Sequence, residues 1–574
     1  METGNYPHSI HQILIVDLIF LVLSCTIQLI STSPDHHFGL LKQYPSKQPE
    51  KAGLVGTDYP PKLRLDIQQE DRSLRVLSDW STPSPSYWLQ SAHRLQTDNK
   101  CENAFGLPFI QDWKTQRDQW CQKAASHPTL SQIVSYPKVM PTDFFPASEK
   151  RRERLKRNVA LELFNITLTS STYTVFETGK LGDPKPKPGS VKASCKLDQN
   201  APTWAFKSVR GTSELIQSAM QEDQDRSVRQ ACTLGTNKTA IVEHPVLFLY
   251  RYDTTNSYHN MENVLAVFTT LAMLDSLLIA QHGVEVVIVD GKSLGYYLEI
   301  WKRISSYPLR ILRDNPYPPD TCFRYVISPA FAAPFLLHGF WQYKHILGVT
   351  QGRHCRSSIF IAFSNWLRAL FPELTALQRS FQVDLQATVN SNSIKTYGVL
   401  WISRRNYESA HIYKGKFNSW QLSRAISNDD ELQLELRRTV LSWNDGACFR
   451  HARSRSRSML KTGSGKPCRM EPVMFNFQVI ELSDIPLYPD QLLKLSGARI
   501  LVGVHGAGMS NMIWMLPEKS GVIEVMHNAG GNDHYAHMAK LLGHRYDPVS
   551  SSGKAVNVAG TTASLMKMMD ALAT

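Results

Sequence analysis

The sequence predicts an α/β protein with two blocks of alternating strands and helices, preceded by a membrane anchor and a stem. Three observations predict it. Short apolar, β-branched runs at residues 246–250, 284–289, 397–402, 475–482 and 499–504 are followed by helical apolar periods or turns, the mark of parallel sheets covered by helices. One of these runs ends abruptly in a glycine turn, His505, Gly506, Ala507 and Gly508. A single long apolar segment, residues 13–30, stands near the N-terminus, and the stretch after it is rich in Pro, Ser and charge.

At 574 residues the chain exceeds what one hydrophobic core holds, so two α/β domains with extensions are expected. The 42% of hydrophobic residues is ordinary for a globular protein, and a formal net charge of +13 suggests an anionic ligand or a membrane surface. Much of that charge is local. Residues 150–157 (KRRERLKR) and 450–457 (RHARSRSR) read as solvated loops or one exposed helix face. No aromatic platform or nucleic-acid-binding motif accompanies them, which argues against a nucleic-acid partner. Cys25 lies in the apolar segment, whereas Cys101, Cys121, Cys195, Cys232, Cys322, Cys355, Cys448 and Cys468 are widely spread, with no C-x-x-C pair. That spacing lacks the metal-ligand pattern and fits disulfides of an oxidising compartment, their connectivity open. Sequons at Asn165 and Asn237 agree with a lumenal or extracellular location and mark both as glycosylation candidates.

Residues 13–30 are at the short end of what spans a bilayer, and Asp17 interrupts them. A cleaved signal peptide is the rival, with Ser31 and Ser33 small enough for a cleavage site, but the charged leading region is missing. No Lys or Arg precedes the segment, while Lys42, Lys47 and Lys51 come after it, against the positive-inside rule for a lumenal C-terminus. The cysteines and sequons nonetheless favour that orientation. The stretch 32–100 reads as a stem, and a globular region begins at Cys101.

In the first block the strand at 246–250 leads through Asn256, His259, Glu262 and Asn263 into an apolar helix, and the strand at 284–289 delivers Asp290. Open sheets place ligands at such carboxyl ends, although an Asp there can equally cap a turn. In the second block the strand at 397–402 delivers Arg404, whose guanidinium presents a planar fork to a pyrophosphate. The run 499–504 ends at the glycine turn, and an apolar period (Met509, Met512, Ile513, Leu516) predicts a helix up to Pro517. Backbone N–H groups and a helix N-terminus converge on an anion there, and glycines let a phosphate approach. Glu524, at the end of the next strand, is placed to take both hydroxyls of a ribose. The alternative is a glycine turn that only packs a helix on a strand, with Glu524 solvated.

These residues resemble glycosyltransferase family 61, and within it most closely the plant-type β-1,2-xylosyltransferases of N-glycans. The resemblance rests on Phe248, Tyr250, Arg251 and Asp253 with Asn256 and His259, and on Val286 to Gly291. It rests further on Cys322 to Pro329, Val399 to Arg404, Arg424 with Ile426, Asn428 and Asp429, and His505 to Gly508 with Glu524. It covers roughly residues 245–550. It implies a GT-B fold, two Rossmann-like domains facing a cleft, with a UDP-sugar donor held by Arg404, Arg424, Asn428, His505, Gly506, Ala507, Gly508 and Glu524. It also implies inversion at the anomeric carbon and no cofactor or bound metal, since Arg and helix N-termini neutralise the departing UDP. Asp223 and Asp225, in a polar stretch, read as solvated rather than as a metal motif. The expected organisation is a cytosolic tail (1–12), a signal anchor (13–31), a stem (32–100), an acceptor-side domain (101–394) and a nucleotide-sugar-binding domain (395–574). The expected setting is the Golgi membrane, with a lumenal catalytic body acting on a glycan or glycoprotein.

One departure stands out. The family pattern has an acid at the position of Asn263, beside Glu262. The general base is therefore open among His259, Glu262 and Asp290. Transfer of another sugar, and a glycan-binding relative without turnover, are the competing functions.

Overall fold

The computed structural model describes residues 84–96, 99–121, 130–137, 159–168, 189–197, 212–222, 227–234, 240–251, 253–254, 256–292, 294–295, 297–330, 355–374, 395–403, 426–459, 473–485, 487–526, 533–552 and 554–573. The apolar segment, the basic run 150–157, Asp223, Asp225, Asn237, Arg404, Arg424 and Cys468 lie outside them. Among the described residues no helix is long and apolar enough to cross a membrane.

The elements of the first half are α1 (Pro85–His93), α2 (Asn99–Phe105), β1 (Val159–Leu168), β2 (Val246–Leu249), α3 (Ser257–Leu274), β3 (Glu285–Ile288), β4 (Cys322–Ser328) and α4 (Ser358–Ala369). β4, β2 and β3 run parallel in that spatial order, and β1 joins β4 antiparallel. This sheet is therefore mixed, where the alternating text predicts parallel pairing throughout. α1 lies inside the stretch expected as stem, yet it packs on α3 and α4 and contributes Leu89 and Ala92 to the core. Ser84 accepts from the Tyr87 N–H and Pro85 takes the first turn, a start signal that Pro and Ser composition hides. A disulfide, Cys101–Cys355, ties α2 to the entry of α4, and Glu102 caps α4 by accepting from the Ser358 N–H at 2.8 Å. Cys121–Cys195 and Cys232–Cys322 are the other described disulfides.

The second half contains β5 (Lys395–Ile402), α5 (Asp429–Met459), β6 (Val473–Ile480), β7 (Ala498–Val504), β8 (Gly521–Met526), α6 (His534–Leu541) and β9 (Arg545–Ser552). The backbone of the basic run 450–457 is helical, within α5. The strands pair in the spatial order β6-β5-β7-β8-β9, all parallel. Strand order reverses between β5 and β7, and in open α/β sheets the crevice outside such a reversal is where ligands bind. The glycine turn leaves β7 there.

α3 is buried along nearly its whole length and, from Val264 on, apolar but for Thr269 and Thr270, which makes it a core helix. It packs against α1, α4 and the 3₁₀ helix after β7. One continuous cluster holds Leu247 and Phe268 from the first half with Leu501, Met509 and Trp514 from the second. α3 therefore joins the two sheets, and each Phe or Leu along it contributes roughly 1.5–3 kcal/mol by burial.

Candidate active site

α3 begins at Asn256, whose side chain accepts from the Tyr258 N–H at 3.0 Å. Its first turn carries His259, with Glu262 on the same face three residues on. His259 Nδ1 lies 2.8 Å from Glu262 Oε2, the imidazole 25% exposed and the carboxylate 1%. Burial, the largest single influence, pulls the His259 pKa down, but the Glu262 hydrogen bond and the charges of Glu262 and Asp253 outweigh it and raise it. Asn263 is buried, and its Nδ2 has no hydrogen-bond partner. An acid at either i+3 or i+4 reaches a helical residue i, so the departure from the family pattern moves the carboxylate by one position and keeps it on the imidazole.

The second cluster lies on the other sheet. His505 comes directly after β7, and its Nδ1 is hydrogen-bonded to Oε1 of Glu524 on β8; both side chains are almost completely buried. The Tyr546 hydroxyl donates to Glu524 Oε2 at 2.7 Å, and burial followed by the Glu524 charge pushes its pKa up, so it remains a donor. Both oxygens of Glu524 are thus engaged within the protein, where the sequence reading has them on a ribose. Gly506 has φ 148° and ψ −178°, a conformation essentially confined to glycine. The segment Ala507–Trp514 is a 3₁₀ helix rather than the predicted longer helix, and Leu516 is 40% exposed. Every residue from Met509 to Met515 is buried, so this short helix is packed on all its faces.

Three contacts join the clusters. The Ser257 hydroxyl, in the first turn of α3, donates to the Ala507 carbonyl inside the glycine turn at 2.7 Å. Ser510 Oγ lies 2.7 Å from the same carbonyl and 3.0 Å from Ser257 Oγ. The Tyr258 ring meets His259 at 5.6 Å and Tyr535 at 5.8 Å, and Tyr535 meets His505 edge-on at 5.1 Å. His259, Glu262, His505, Gly506, Ala507, Gly508 and Glu524 therefore share one corner, at the carboxyl end of β7 and the amino end of α3. Ser257, Tyr258, Ser510, Tyr535 and Tyr546 escape a sequence reading because strand pairing and helix packing bring them there. Only the polar Asn-Ser-Tyr-His run before an apolar helix hints at the first two.

Asp290 takes another part. Arg251 grips both of its oxygens, Nε at 2.9 Å and Nη2 at 2.7 Å, and both side chains are 1% exposed. The pair buckles the ends of β2 and β3 together, leaving the carboxylate no open oxygen for proton abstraction. Asn428 is also engaged within the fold: its Oδ1 accepts from the Val556 N–H at 2.8 Å and its Nδ2 donates to the Val556 carbonyl at 3.0 Å. Asn165 lies in β1, 9% exposed, with Nδ2 on the Leu130 carbonyl and Oδ1 on Arg324. The folded chain does not present that amide to a glycan. Among the described residues no cluster of three or more His, Cys, Asp or Glu side chains is placed to hold a metal ion.

No family model matches the chain. The β-1,2-xylosyltransferase of Arabidopsis thaliana is 22% identical to it over 346 residues, 58% of this chain and 56% of that protein. β-1,2-Xylosyltransferase RCN11 of Oryza sativa subsp. japonica is 19% identical over 336 residues, 57% of this chain and 53% of that protein. The chain is a distant relative of these xylosyltransferases. The match spans little more than half the length of each relative. The resemblance to family 61 and the mixed α/β architecture with parallel sheets agree with that relation.

Proposed function

We propose that the chain is an inverting glycosyltransferase that moves xylose from UDP-xylose in β-1,2 linkage to the core mannose of an N-glycan. The observation that carries this reading is His259, held at Nδ1 by buried Glu262 on the helix turn whose Ser257 hydroxyl donates to the Ala507 carbonyl of the glycine turn, outside the strand-order reversal. His259 is the base. Its Nδ1–H is fixed on Glu262, so Nε2 takes the proton from the acceptor hydroxyl as that oxygen attacks the anomeric carbon and the bond to UDP breaks. Glu262 holds the tautomer and stabilises the imidazolium that forms.

On the donor side, His505 is oriented by Glu524 and Tyr546, and the N–H groups opening the 3₁₀ helix receive phosphate charge. In this reading Glu524 fixes the imidazole rather than the ribose, and Asp290 keeps Arg251 and the strand ends in place. Arg404 and Arg424 supply positive charge to the pyrophosphate, with no cofactor assigned. The protein acts from a Golgi membrane anchor at 13–31, with residues 101–394 on the acceptor side and 395–574 on the donor side. The three disulfides support an oxidising lumen.

The test is UDP release by the purified chain given an N-glycan acceptor and UDP-xylose, UDP-GlcNAc or UDP-arabinose. Release with UDP-xylose and a mass increase of one pentose on the acceptor are expected. Release with UDP-GlcNAc alone rejects xylose, and UDP binding without release under every pairing rejects catalysis.

A further inference from the structure

A single exposed leucine needs no explanation, whereas two that frame one contact between the halves of the molecule point to a binding surface. Leu487 is 61% exposed and stands at the N-cap of the helix Tyr488–Ser496, with no side-chain hydrogen bond to the helix start. Ser, Thr, Asp and Asn stabilise that position and leucine does not. Leu487 therefore lowers stability twice, by its exposure and by leaving the helix uncapped. Leu294 is 37% exposed, in the turn that follows β3.

The contact they frame is between the Tyr297 and Tyr488 rings, which meet edge-on at 5.1 Å. Leu487 directly precedes Tyr488, and Leu294 comes three residues before Tyr297, a span of at most about 10 Å. The turn that carries Leu294 is fixed from below. Arg251, bound to both oxygens of Asp290, donates from Nη1 to the Leu294 carbonyl at 2.9 Å. Gly295 has φ +68°, and a Cβ there would fall 2.5 Å from the Thr254 carbonyl oxygen, so the turn lies directly on the chain entering α3. Thr254 is two residues before Asn256, the N-cap of α3, and five before His259. The strip formed by Leu294, Tyr297 and Leu487 thus starts beside the entry to the helix that carries His259 and crosses to the second half beyond the carboxyl end of β6.

We propose that Leu294 and Leu487, with Tyr297, form an acceptor subsite that takes the apolar C–H face of a hexose ring next to the sugar that His259 activates. A pyranose carries C–H groups on its faces and hydroxyls at its rim, so apolar side chains hold it while a few polar groups orient it. The subsite rests on the transferase reading above and adds to it how an extended glycan is chosen over a single sugar. It also accounts for a leucine kept where a serine would cap the helix.

The experiment compares an N-glycan with methyl mannoside, which offers the attacked sugar alone, as acceptors for the parent chain, L294S, L487S and the double variant, with UDP-xylose as donor. The KM for the N-glycan is expected to rise roughly three- to tenfold in each single variant, with kcat, UDP affinity and the KM for methyl mannoside at parental values. L487S is also expected to raise Tm, because serine caps the helix. A gain in stability together with a loss of acceptor affinity is what a purely structural leucine does not give. An unchanged KM for the N-glycan in the double variant overturns the subsite and leaves the transferase reading standing, as does a KM that rises equally for both acceptors or a Tm that falls in L487S. Should the parent chain transfer no sugar to either acceptor, the transferase reading fails, and calorimetric titration of the N-glycan decides the subsite by itself. Binding by the parent that the double variant loses supports it; equal binding, or none by the parent, overturns it.

Discussion

Two histidine–glutamate pairs meet at one corner, and they differ in what surrounds them. His259 and Glu262 sit on one helix turn, the imidazole a quarter exposed and its pKa raised. His505 and Glu524 sit on neighbouring strand ends, both buried, with Tyr546 occupying the second carboxylate oxygen. The same two residue types thus serve two purposes. A partly open ring with one nitrogen anchored can exchange a proton with a bound hydroxyl. A closed ring, braced on a carboxylate that is itself braced, keeps its geometry while charge develops beside it.

The largest effect tests that division directly. His259→Ala is expected to lower kcat by roughly 10²- to 10⁴-fold, the usual contribution of a positioned base, with UDP affinity unchanged. His505→Ala is expected to weaken UDP binding as well. Titration calorimetry with UDP, set beside steady-state rates, separates the two, and an equal loss of UDP affinity in both variants would erase the distinction.

Next comes the brace. Glu524→Gln leaves a buried site with mismatched donors, at a cost of about 1–3 kcal/mol, read as a lower Tm together with weaker UDP binding. A variant of parental stability would mean that His505 and Tyr546 do not depend on Glu524. A smaller effect distinguishes the open pair. The proposed mechanism needs neutral His259, so the rate is expected to rise with pH through its raised pKa. Glu262→Gln removes the main raising influence and leaves burial to prevail, moving that limb of the pH–rate profile to lower pH. In stability terms the sign is the reverse: a raised folded pKa adds stability below the ordinary value of 6.5, lost as pH climbs through the folded value. An unmoved limb would assign the titration to another group.

Much of this corner could be read from residues alone, because its signals are local. Gly506 announces a backbone that other residues avoid, and β7 ends where its apolar run ends. The spacing of His259 and Glu262 is a helix property, legible once a helix is assumed. The occupants of Glu524 were not legible: Tyr546 reaches it only because β9 pairs with β8, with Val522 opposite Tyr546. Asp290 and Asn428 show the same limit, since an acid at a strand end or an amide before a helix looks available until the partner that consumes it, Arg251 or Val556, is placed. The antiparallel addition of β1 to β4 likewise depends on long-range pairing, and α1 was hidden by composition although Ser84 and Pro85 mark its start.

The smallest predicted effect concerns the seam between the pairs. The Ser257 hydroxyl, two residues before His259, holds the Ala507 carbonyl inside the glycine turn. Ser257→Ala removes one hydrogen bond, worth about 0.5–1.5 kcal/mol, while Ser510 still reaches the same carbonyl. Stability and UDP affinity should therefore change little. The distance between His259 and the turn is no longer pinned, so kcat should fall several-fold at unchanged KM for the donor. Ser257 and Ser510 share one acceptor, so their effects on kcat should not add: Ser510→Ala in the Ser257→Ala background should cost more than it does alone, because no hydroxyl then holds the carbonyl. Strict additivity across that double-mutant cycle would show that the serines only pack, and that the two pairs are positioned independently by their own sheets.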